Sequence, residues 1–105
     1  MTTWLVSRHP GAVQWVSTHG PGFDRQVAHL DPAAIAPGDR VLGTLPVHLA
    51  AQVCARRAEY WHLTLDMPEQ ARGRELTAQE LGTLNARLQR FLIYPHHGTT
   101  LPACT

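Results

Sequence analysis

Three times in 105 residues an apolar stretch gives way to polar groups and then a proline: Ser7-Arg8-His9-Pro10-Gly11, Gly43-Thr44-Leu45-Pro46 and Leu65-Asp66-Met67-Pro68. Before the first stands the β-rich run Thr3-Trp4-Leu5-Val6, and Pro10 suits the first turn of a helix over residues 11–18. Residues 26–30 and 40–45 read as the second and third strands. Pro46 opens a second helix whose apolar stripe is Val47, Ala50, Cys54 and Ala58, and residues 60–65 form a fourth strand. After the loop 66–75, Thr77-Ala78-Gln79-Glu80 fits a capping box. Leu81, Leu84, Leu88 and Phe91 supply the stripe of a third helix, with residues 92–94 fraying into a last short strand. Strands alternating with helices predict a single α/β domain over residues 1–94 with a mainly parallel sheet, followed by a flexible tail, 95–105.

In such a sheet the ends of the first, third and fourth strands lie along one carboxyl edge, where open α/β folds bind their ligands. Two of the three proline turns feed helix N-termini, whose unpaired N–H groups and positive dipole favour an anion, phosphate above all. Arg8, Arg72 and Arg74 would strengthen that preference if the long loop folds over the edge. The net charge of +1 points to no polyanion or membrane surface. All nine basic residues are arginines, which excludes a lysine Schiff base, a P-loop lysine and a Ser-Lys dyad.

The strand ends supply one carboxylate, Asp66, where a two-metal phosphatase or nuclease wants several. Metal-free chemistry on a phosphodiester is compatible with this edge, because RNA is cleaved when its own 2′-hydroxyl attacks the neighbouring phosphorus. That reaction needs orientation, an acid or base, and a cation, and His9 beside Arg8 offers the last two. Each residue also has a structural reading. Ser7 is a turn hydroxyl, Thr44 a cap, Asp66 an Asx-turn, and Arg72 with Arg74 a solvated pair. His29, His48 and His62 read as surface or internally satisfied histidines, and His96, His97 and Cys104 as tail residues rather than metal ligands. No cofactor or metal is expected. Cys54 and Cys104 lack metal or disulfide spacing, and apolar runs too short to span a bilayer predict a soluble, cytoplasmic protein.

Four stretches in order, WLVSRHPGAVQW at 4–15, HLD at 29–31, PGDRVLGTLPVHLAAQVCARRAEYWHL at 37–63 and P-x-x-x-RG-x-EL at 68–76, resemble a small type III CRISPR accessory family, the sixteenth member of the Csx group. The resemblance runs from about residue 3 to residue 94. It implies a compact Rossmann-like relative of the CARF domains, forming a homodimer that binds a cyclic oligoadenylate on its two-fold axis. It further implies a ring nuclease that linearises cyclic tetra-adenylate without a metal, leaving a 2′,3′-cyclic phosphate and switching off antiviral signalling. Neither duplex nucleic acid nor a membrane is an expected partner. In this reading His9 is the acid or base and Arg8 stabilises the phosphorane. Ser7 with the Gly11 and Thr44 amides holds phosphate, Arg72 closes over the ring, and Leu45, Asp66 and Arg74 complete the ligand-binding set. The alternative from another class is a module that sequesters or senses the messenger without cutting it. A third reading is an unrelated α/β enzyme acting on a small phosphate ester. Family members often carry Gly where this chain has Arg57.

Overall fold

A computed structural model of the chain describes residues 1–96 and Leu101; His97 and Cys104 lie outside the described residues, as does most of the expected tail. The chain runs β1 (Thr3–Val6), α1 (Pro10–His19), β2 (Arg25–Val27), a 3-10 turn (Pro32–Ala34), β3 (Arg40–Gly43), α2 (Val47–Ala55) and β4 (Glu59–Thr64). A second 3-10 turn (Glu69–Ala71), α3 (Ala78–Thr83) and β5 (Arg87–Phe91) follow. The five strands form one sheet in the order β2-β1-β3-β4-β5. The first four are parallel and β5 alone runs antiparallel, paired with β4 from Tyr60↔Phe91 to Thr64↔Arg87. The expected α/β class with a mainly parallel sheet flanked by helices is what the chain adopts.

Alternation along each strand divides the core in two. Trp4, Val6, Val41 and Tyr60 face the layer built by α2 and the connector carrying Ile35, where Ala50, Val53 and Cys54 of α2 are buried. Leu5, Leu42 and Leu63 face the opposite layer, where Trp15 and Val16 of α1 meet Leu81 of α3. Helices on both faces follow from the topology: the sheet is extended leftward from β1 to β2 and rightward from β3 to β4, and crossovers of one hand then place α1 and α2 on opposite sides.

Several elements depart from the sequence expectation. β2 stops at Val27, because its one neighbour among the described residues, β1, ends at Val6; the last bond between them runs from the Ser7 N–H to the Val27 carbonyl, 2.9 Å. β3 stops at Gly43, whose φ of +146° and close approach to the Val6 carbonyl exclude a Cβ. Val47, placed in the buried stripe of α2, is 69% exposed, and Ala58 is buried but lies beyond the helix. The largest departure is the third helix, which ends at Thr83. Asn85 takes φ +57°, its N–H bonds the Gly82 carbonyl at 3.3 Å, and the Ala86 N–H bonds the Leu81 carbonyl at 3.1 Å, a complete Schellman stop. Leu88 and Phe91 therefore stand on β5 rather than on a helical stripe.

Candidate functional site

The order 2-1-3-4-5 places a topological switch point between β1 and β3, where chains leave the carboxyl edge in opposite directions and a crevice opens. A cleft of about 610 Å³ lies there, walled by the turns after β1, β2, β3 and β4 and by the segment Arg74-Glu75-Leu76. Its floor is apolar, with Leu5, Leu63 and Leu81 reaching it from the core, and its polar groups come from the β1 and β3 turns and the loop. That balance of apolar wall and few convergent polar groups is typical of a small-molecule site.

The β1 turn is shaped by Ser7. Its Oγ accepts the His9 N–H at 3.1 Å, closing a loop over Arg8, while its carbonyl accepts the Gln26 side-chain amide at 3.1 Å. Pro10 then begins α1 at the first helical position, with His9 as N-cap in extended geometry. The His9 side chain makes no capping bond and is left for another partner. That partner is Glu75, whose two carboxylate oxygens both stand 3.0 Å from His9 Nδ1. An ionised carboxylate only accepts, so Nδ1 carries the proton of this bond. Arg8 is exposed, lines the cleft and makes no ion pair or side-chain hydrogen bond among the described residues, which leaves its guanidinium available to an anion.

The β3 turn is held from beneath by Tyr60, a fully buried phenol. Its oxygen accepts the Leu45 N–H at 3.0 Å and lies 2.6 Å from Nδ1 of His62. Burial raises the Tyr60 pKa above 10.0 and lowers that of His62 below 6.5, so near neutrality a protonated phenol, which also reaches the Gly43 carbonyl at 3.4 Å, faces a neutral imidazole. The Leu45 amide is thus committed to the protein, and the Leu45 side chain belongs to the core while lining the cleft. Thr44, exposed in the same turn, lines the cleft and donates from Oγ1 to the Leu63 carbonyl at a long 3.5 Å.

The remaining predicted residues divide. Gly11 is buried against the loop, where a Cβ would stand 2.0 Å from the Leu76 carbonyl oxygen, and it does not line the cleft. Arg74 lines it, but its Nη2 is 2.7 Å from Glu80 Oε2. Glu80 in turn completes the capping box with Thr77, and the Thr77 N–H and the Arg74 guanidinium hold its carboxyl below 4.5. Arg72 is exposed and stands outside the cleft lining, as does Asp66. The Asp66 carboxylate accepts from Asn85 Nδ2 and Arg87 Nη1, both at 3.1 Å, which lowers its pKa below 3.8. Among the described residues no group of three His, Cys, Asp or Glu side chains is placed to hold a metal ion, and no helix is long and apolar enough to cross a membrane.

Sequence reasoning missed two residues of this region. Glu75 stood inside the P-x-x-x-RG-x-EL stretch, but nothing local tied it to a residue 66 positions away. Tyr60 left a fainter signal: a tyrosine at an inward strand position must find a partner for its hydroxyl, and the nearest unpaired amides belong to the preceding strand's turn. A family model described as "Putative CRISPR-associated protein (Cas_VVA1548)" matches residues 4–94. No curated protein and no solved structure matches the chain. The match runs from the second residue of β1 through β5 and takes in every wall of the cleft, and the chain belongs to this CRISPR-associated family.

Proposed function

We propose that this CRISPR accessory protein is a homodimeric ring nuclease that binds a cyclic oligoadenylate, cyclic tetra-adenylate above all, and linearises it without a metal. The observation carrying the reading is the convergence of Arg8 and His9 with the exposed Thr44 turn on one cleft at the switch point of the sheet. Cleavage needs the ribose 2′-oxygen to bond to the adjacent phosphorus while the bond from phosphorus to the 5′-oxygen breaks. His9 takes the 2′-hydroxyl proton, the departing 5′-oxygen gains a proton from water, and Arg8 neutralises the charge on the non-bridging oxygens. The ends formed are a 2′,3′-cyclic phosphate and a 5′-hydroxyl.

The N–H groups of Gly11 and Ala12 in the first turn of α1 have no intrahelical acceptor and add to the positive field beside Arg8. Exposed apolar side chains support closure by a second copy: Met67 lines the cleft at 37% exposure, and Val47 follows the cleft residue Pro46. A two-fold axis through the ring would set one Arg8 and His9 at each of two opposed phosphates.

Incubation with cyclic tetra-adenylate in EDTA tests the reading. Linear products with cyclic phosphate ends are expected, with one ring bound per two chains, and His9→Ala lowers the rate by about 10² to 10⁴-fold while binding persists. A ring left intact by excess wild-type protein, bound or free, overturns the catalytic claim; bound and intact, it identifies a sequestering module.

A further inference from the structure

We infer that Glu75 is a positioning residue for His9, fixing the imidazole tautomer so that Nε2 is the atom that exchanges a proton with the substrate; the catalytic part of this inference rests on the ring-nuclease reading. Two oxygens of one carboxylate at 3.0 Å from Nδ1 restrict the ring both in rotation and in protonation, because the carboxylate can accept but cannot donate. With the proton held on Nδ1, the neutral ring presents Nε2 as an acceptor. A base aimed at a 2′-hydroxyl requires that arrangement.

The placement of Glu75 is built rather than incidental. Its neighbour Arg74 is tied to Glu80, and Glu80 is locked to Thr77 by reciprocal bonds at the start of α3. On the other side, the Leu76 carbonyl seats against Gly11, where no side chain larger than hydrogen fits. Glu75 is therefore held between two anchored neighbours, within reach of the N-cap of α1. The pair is more than half exposed, so its contribution to stability is slight and its evident effect is on the orientation of the ring.

The test has two arms. In the first, long-range ¹H–¹⁵N spectra of the His9 ring, recorded on the full chain where the ring is neutral, are expected to show protonated Nδ1 and bare Nε2. Glu75→Ala should convert this to the mixture of a free imidazole. A wild-type ring protonated on Nε2, or one unaltered by Glu75→Ala, overturns the inference. In the second, single-turnover cleavage of cyclic tetra-adenylate by Glu75→Ala is expected to fall about 10 to 100-fold with ring affinity within about twofold of wild type, and Glu75→Asp to recover part of the loss. Full activity of Glu75→Ala beside an active wild type overturns the catalytic role. If wild type itself does not cleave, the ring-nuclease reading falls with the catalytic role of Glu75, while the spectra still decide the tautomer.

Discussion

Asp39 is the one buried carboxylate among the described residues, at 5% exposure, and it gathers the amino-terminal strand, the connector and β3 onto two oxygens. The Thr2 N–H reaches Oδ1 at 2.9 Å, while the Ala36 N–H at 3.0 Å and the Trp4 indole N–H at 3.2 Å reach Oδ2. Burial alone would push its pKa up, but those three donors and the nearby amino terminus outweigh it and hold the group below 3.8. A folded value below the unfolded one means the stabilisation is fully present above about pH 3.8 and is lost as the pH falls through the lower folded value. Urea midpoints measured from pH 6 downward should therefore fall most steeply below 3.8, and Asp39→Asn should flatten that limb while lowering stability near neutrality by about 1.5–3 kcal/mol. An unchanged acid limb in Asp39→Asn would assign it to other carboxylates.

Helices α2 and α3 end in the same device. α2 stops with Arg57 at φ +63°, its N–H on the Cys54 carbonyl at 3.0 Å and the Ala58 N–H on the Val53 carbonyl at 3.3 Å; α3 stops in the same pattern at Asn85. A left-handed position such as 57 favours glycine. A Cβ in that region costs about 1–2 kcal/mol, so Arg57→Gly should raise stability by up to about 1 kcal/mol after the entropy of glycine is counted. By the same logic Asn85→Val should lower it by about 1–2 kcal/mol, both read from denaturant melts. A loss of stability in Arg57→Gly, or a gain in Asn85→Val, would refute the shared geometry. These stops also explain what could be read in advance. Thr3-Trp4-Leu5-Val6 and the Pro10 start were legible because strand propensity and the proline agree locally. The capping box at Thr77 was legible for the same reason. The end of α3 was not, since leucines at 81, 84 and 88 satisfy a helical period, and only the tertiary demand for an antiparallel partner to β4 selects the stop at Asn85 over continuation.

At the level of the molecule, the parallel order of β1, β3 and β4 carried the position of the cleft directly from the proline turns, because parallel strands must deliver their carboxyl ends to one side. The identity of its ionic contacts was not available that way: His9 meets Glu75, and Arg87 meets Asp66, through pairings set by how the last hairpin folds back. The cleft thus draws its walls from nearly the whole chain, from Leu5 to Leu81. Such a site has a weak side and a strong side in deuterium exchange. The central strand β3 is bonded to neighbours on both edges, whereas Arg74 and Glu75 lie exposed on a connecting segment. A ring bridging the β1 turn to that segment should slow exchange across residues 72–77 and leave residues 40–43 as slow as before; equal slowing everywhere would mean that the ligand stabilises the domain without touching the loop. Messenger concentration would in that way be recorded as the local rigidity of one short stretch of backbone, the stretch that carries the acidic partner of His9.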